Sequence, residues 1–188
     1  MRANPIRNAR CLCAWLPAAL LAMTLAIPPA SAAPAQVEAQ KKDYLTDAEG
    51  DEIRDAYAPS LKIKLFAQFA NDRILKIKYE LTHLDPADRR QGERINDLLN
   101  AYAGCIDDGD EIVGIAVEKQ EDVHAAMKLF TADAKDFLPY LQSLEPKAPL
   151  LDAYKDNLDD AIEATQDAIS DLADAATEDS TAPVRRKQ

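Results

Sequence analysis

The sequence predicts an all-α fold, an elongated antiparallel helical bundle with heptad-patterned helices, and three observations carry that expectation. Apolar residues recur at alternating spacings of three and four over long stretches, no segment alternates apolar and polar with period two, and the residues between stretches are those of helix ends. A segment of another kind precedes the bundle. Met1 to Arg10 carries Arg2, Arg7 and Arg10 and no acid, Cys11 to Ile27 is an apolar run, and Ala30-Ser31-Ala32 offers small residues where a signal peptidase cuts. Residues 1–32 are therefore expected to be a cleaved signal peptide, and the product to be exported, periplasmic or extracellular. Cys11 and Cys13 lie too early, and lack the Leu-x-x-Cys context, for a lipid anchor.

Residues 33–45 read as a flexible linker, because Ala33 to Asp43 has no periodicity and almost no large apolar group. The bundle domain is expected over 46–178. Thr46-Asp47-Ala48-Glu49 has the spacing of a capping box and opens a short helix to about Tyr57. With only Ile53, Ala56 and Tyr57 on its apolar face, that helix must lean on something larger. Pro59 and Ser60 open a second helix whose seam runs Ile63, Ala67, Ala70, Ile74, Ile77, Leu81 and Leu84. Leu61, Leu65, Phe66 and Phe69 widen the seam at its start, as a helix facing two neighbours requires. Asp85-Pro86 reads as the end of this helix and as the N-cap and first position of the next.

One heptad register then continues from Ile95 through Tyr102, Gly109, Ala116, Val123, Phe130 and Phe137 to Leu144. A second line runs Leu99, Ile106, Val113, Gln120, Met127, Ala134 and Leu141. A hairpin would reset the register, so the pattern favours one long helix over 86–144, kinked near Pro139. Gly104, Gly109, Gly114 and the turn-like Asp107-Asp108-Gly109-Asp110 argue for the alternative, a chain that turns back near Gly109. The segment 145–149 reads as a turn. A last helix follows from about Leu150 to Thr177, with Leu151, Tyr154, Leu158, Ala161, Thr165, Ala168 and Leu172 as its seam. Residues 179–188, which include Arg185-Arg186-Lys187, read as a flexible tail.

The formal charge of −11 excludes a nucleic-acid partner and disfavours anionic membrane surfaces, and loss of a leader that holds arginines but no acid makes the product more acidic still. After the leader no apolar run approaches the roughly 20 residues that span a bilayer. Cys105 is then the one remaining cysteine, read as a small buried hydrophobe, with an intermolecular disulfide as the alternative.

The sharpest surface feature is an acidic stripe, Asp156, Asp160, Glu163, Asp167, Asp171 and Asp174, recurring at spacings of four and three opposite the last seam and continuing to Glu178. It reads first as a plain solvated face, with a docking face for a basic protein partner, or diffuse cation binding, as the functional alternatives. Lys62, Lys64, Arg73, Lys76, Lys78, Arg89, Arg90 and Arg94 make residues 60–94 its electrostatic opposite, so these regions either face each other or pair two copies in a homo-oligomer.

No cofactor or metal is expected. Aligning Gly109 or Gly50 with the invariant glycine of a calcium loop puts Gly104 or Leu45 at the first ligand position. His83 and His124 are the only histidines, in no ligand motif, and lie about 60 Å apart if the third helix is continuous. Ser60, Ser143, Ser170 and Ser180 occupy no nucleophile elbow. The expected function is thus non-enzymatic, an exported protein-interaction, scaffold or envelope accessory factor. The alternative is a bundle that sequesters a small ligand or cations. The discriminating feature would be a gap of a few hundred Å³ lined by Phe66, Phe69, Phe130 and Phe137.

Overall fold

The computed structural model describes residues 44–145 and 148–181, which form five α-helices and, among the described residues, no strand. The segment read as a signal peptide, nearly all of that read as linker and the end of that read as tail lie outside the described residues. The helices are α1 (Asp47–Asp55), α2 (Pro59–Thr82), α3 (Gln91–Glu118), α4 (His124–Leu144) and α5 (Lys155–Thr181), with a single 3-10 turn, Leu151–Ala153, ahead of α5.

The capping box forms as the spacing requires. The Thr46 hydroxyl accepts the Glu49 amide, and the Glu49 carboxylate accepts the Thr46 amide. The same carboxylate receives both terminal guanidinium nitrogens of Arg73 from α2, and this is what α1 leans on. Arg73 is buried, so the pair is held out of water, and the guanidinium lowers the Glu49 carboxyl to about 2. Tyr44 and Leu45, the last residues of the segment read as linker, are packed rather than loose: Leu45 joins the core and the Tyr44 ring lies on Gly104.

α2 buries Ile63, Ala67, Ala70, Ile74 and Ile77, each aliphatic side chain among them contributing roughly 1.5–3 kcal/mol. Leu84, expected to end the seam, is exposed beyond the end of the helix. α3 begins later than Asp85-Pro86 predicts. The Asp85 carboxylate does accept an amide, that of Ala87, but it caps one isolated turn. Buried Gln91 closes the connection instead, donating to the carbonyls of Glu80 and His83 and accepting the amide of Asp85. At the end of α2 this side chain takes the Glu80 carbonyl, while the His83 amide takes that of Tyr79 and the Thr82 hydroxyl that of Lys78.

The expected continuous helix over 86–144 does not form. α3 ends at Glu118, and Gln120 adopts a left-handed conformation with φ 57°. The Gln120 amide donates to the Val117 carbonyl and the Glu121 amide to that of Ala116, which is the Schellman closure. α4 then runs back antiparallel to α3, so that Phe137 meets Tyr102 edge-on at 6.0 Å and Phe130 lies against Gly109. The glycines that argued for a turn are helical. Gly104 and Gly109 are where aromatic rings sit on α3, while Gly114 faces open space.

The main helix packing is of α2 on α3, α3 on α5, α5 on α4 and α4 on α2, which places α3 and α4, adjacent in sequence, across the bundle from each other. Both predicted lines of the long register are buried apart from Gln120, because two helices that each face the core happen to be joined by a connection that preserves the register. α5 follows its predicted seam from Tyr154 to Leu172. Its one polar member, Thr165, donates to the Ala161 carbonyl at 2.6 Å, which leaves the Tyr102 hydroxyl to donate to Thr165 at 2.9 Å.

Candidate functional site

α5 carries its apolar seam inward, and the residues opposite it, Asp156, Asp160, Glu163, Asp167, Asp171 and Asp174, are all exposed. Among the described residues no lysine or arginine forms an ion pair with any of the six. The one lysine at that end of the helix, Lys155, is held by Asp159 instead.

Packing of α3 beside α5 adds residues that the helical pattern of α5 alone does not reveal. Asp110 of α3 is half-buried next to Asp167 and Asp171, with Asp107 on its own helix. Burial first, and then the charge of Asp171 and Asp107, push its carboxyl up to about 6. The stripe thus divides: Asp167 and Asp171 join a four-carboxylate patch across two helices, whereas Asp156, Asp160, Glu163 and Asp174 lie along α5 outside it. The signal in the sequence was the Asp107–Asp110 segment itself, which reads as a turn until its helical phase is known.

The basic region of α2 and the loop after it does not face the stripe. Four bases of residues 60–94 answer nearer acids: Arg73 binds Glu49, Lys76 binds Asp72, Arg90 binds Glu93, and Arg94, at the start of α3, binds Glu80 and Asp88. Lys78 lies over the Tyr140 ring at 4.6 Å.

Surface furrows lie between neighbouring helices among the described residues. One, of about 520 Å³, lies between α2 and α3 and is lined by Leu75, Tyr79 and Leu98 together with Lys76, Glu80, Arg94 and Asp97. Another, of about 380 Å³, lies between α4 and α5. Its edge is His124, Lys128, Thr131 and Lys135, and its floor is made mainly of Met127, Ala132, Leu172, Ala173 and Ala176. Neither involves the four phenylalanines, which are buried in the core; Phe66 and Phe69 pack edge-on at 6.4 Å.

The two histidines stand at opposite ends of the bundle, His83 after α2 and stacked on Tyr79 at 4.2 Å, His124 at the start of α4. The expected 60 Å separation along one helix falls with that helix. Because α2 and α4 run parallel, the length of α4, about 30 Å, now separates them. No group of three His, Cys, Asp or Glu side chains among the described residues has the arrangement of a metal site. Cys105 is fully buried in the core. Among the described residues no helix is long and apolar enough to cross a membrane.

No protein family, no curated protein and no solved structure matches the chain.

Proposed function

We propose that the protein is an exported, non-enzymatic bundle that docks a basic segment of a protein partner along α5, as a scaffold or envelope accessory factor would. One observation carries this reading: Asp110 is held half-buried among Asp107, Asp167 and Asp171. Carboxylates gathered in this way repel one another and lose hydration, so the unbound patch weakens the α3–α5 contact. Lysines or arginines arriving from a partner would convert that repulsion into charge-assisted hydrogen bonds. The exposed acids along the rest of α5 extend the same field beyond the patch and would steer the partner to it. Export rests on the order of basic, apolar and small residues in the leader.

The test is association of the full chain with a lysine- and arginine-rich helical peptide, followed by stopped flow at low and physiological salt. Wild-type association should be fast and strongly slowed by salt. Replacing Asp160, Asp167 and Asp174 with asparagine should preserve helicity and slow association at low salt, since exposed charges act chiefly on encounter. A triple variant with unchanged rate and salt dependence would reduce the stripe to a solvated face.

A further inference from the structure

We propose that the furrow between α4 and α5 binds a single-chain anionic amphiphile, a long-chain carboxylate, with Lys128 and Lys135 on the head group and the hydrocarbon along the alanine floor. The argument begins with charge. In a chain of net charge −11, Arg54, Arg73, Lys76, Arg90, Arg94 and Lys155 each hold a carboxylate; among the described bases that hold none, Lys128 and Lys135 are the pair that lines a furrow. Among the described residues no carboxylate pairs with Lys128 or Lys135, and none lines the furrow they edge. Their helix offers none either, because the positions three and four away from each lysine are occupied by His124, Ala125, Thr131, Ala132, Leu138 and Pro139. Two exposed cations thus stand over an apolar surface in an otherwise acidic molecule.

Spacing makes the pair usable by one head group. Seven residues separate the lysines by about 10 Å along α4, and their flexible stems can converge over Thr131 between them. The Thr131 hydroxyl donates to the Met127 carbonyl at 2.8 Å, so its oxygen keeps acceptor capacity only and the ammonium groups are the donors at this edge. The floor has the matching shape. Ala132, Ala173 and Ala176 leave a shallow channel between neighbouring helices, with Met127 and Leu172 buried beneath. A channel of about 380 Å³ admits a hydrocarbon chain, whereas a partner helix about 10 Å across would ride above it. Its rival between α2 and α3 is lined by both signs of charge, and its Lys76 and Arg94 are already engaged.

Isothermal titration of the full-length chain with dodecanoate, below the micelle concentration, tests the proposal. Saturable one-to-one binding is expected. Lys128→Glu with Lys135→Glu should weaken it at least tenfold, Lys128→Arg with Lys135→Arg should retain it, and Ala173→Phe should remove it by filling the channel with both lysines in place. Dodecyltrimethylammonium, the same tail with the opposite head, should not compete. All variants are checked for helicity, and the exposed lysine pair remains decisive if Ala173→Phe disturbs packing. The proposal is overturned if dodecanoate does not saturate, if the double glutamate variant binds equally well, if the cationic amphiphile competes, or if the chain sediments with phosphatidylglycerol vesicles but takes up no monomer.

Discussion

Replacing Asp110 with asparagine should stabilise the bundle, and the gain should disappear in acid. The Asp110 carboxyl titrates near 6 in the folded chain against an ordinary value of 3.8, a difference of about 2 units, or roughly 3 kcal/mol before screening. Asp110 is only half-buried, so solvent reduces this to about 1–2 kcal/mol. The sign follows from linkage. Above pH 6 the group is ionised in both folded and unfolded chains, and the folded state bears the penalty of burial beside Asp107, Asp167 and Asp171. As pH falls from 6 to about 4 the folded chain takes up the proton first, and its stability rises. Asparagine imitates the protonated side chain at every pH and can still donate a hydrogen bond to Asp171. Thermal unfolding followed by circular dichroism should therefore show the variant melting about 3–6 °C above wild type at pH 7.5, with the difference shrinking through pH 5 and absent by pH 4. An equal gain at pH 4 and pH 7.5 would mean that packing, not ionisation, sets the effect. No gain at pH 7.5 would refute the claim that the carboxylate patch opposes folding, and would remove the main support for the docking reading with it.

Gly109 and Gly114, both inside α3, should respond oppositely to alanine. Gly109→Ala places a Cβ 2.5 Å from the Phe130 ring and should cost about 1–3 kcal/mol, whereas Gly114→Ala meets nothing and should gain up to about 1 kcal/mol in chemical denaturation. Gln120→Gly relieves a left-handed residue at the Schellman closure and should raise stability by up to about 1 kcal/mol; a loss there would show that the Gln120 side chain contributes something the backbone does not. Thr165→Val should cost more than Tyr102→Phe, by about 1–2 kcal/mol, because the first leaves a buried Tyr102 hydroxyl with no acceptor while the second leaves Thr165 still bonded to the Ala161 carbonyl. Glu49→Gln should weaken the hold of α1 on Arg73 and flatten the acid limb of the stability curve. The lowered Glu49 carboxyl contributes stability above about pH 4.5 that is lost as pH falls toward 2, and an unchanged acid limb would show that α1 docks by its apolar side alone.

Helix identity and inward faces were legible in the sequence because both depend on neighbours a few residues apart. The Thr46–Glu49 box, the Ile63–Ile77 seam and the Tyr154–Leu172 seam stand where spacing puts them, since a side chain three or four residues away along a helix is a neighbour whatever the rest of the chain does. The exposed acids of α5 follow from the same periodicity. What the local pattern could not supply was the end of α3. Ala116 to Glu121 close a Schellman motif around a glutamine, a residue with no special claim to left-handed backbone, while the three glycines that invited a turn lie inside the helix.

The antiparallel return of α4 was decided by tertiary structure, because a straight helix through 86–144 would leave Met127, Phe130 and Phe137 without the α2 and α3 surfaces that bury them. That return also set the rest of the surface. It brought α5 alongside α3 so that Asp110 met Asp167 and Asp171, and it laid Lys128 and Lys135 along a furrow whose other wall is α5. By itself the sequence determined which stretches are helical and which of their faces turn inward, a matter of rotation about single axes, but not where α3 begins and ends. Only the tertiary structure decided which faces meet, because that choice depends on the apolar area that whole helices bury against one another.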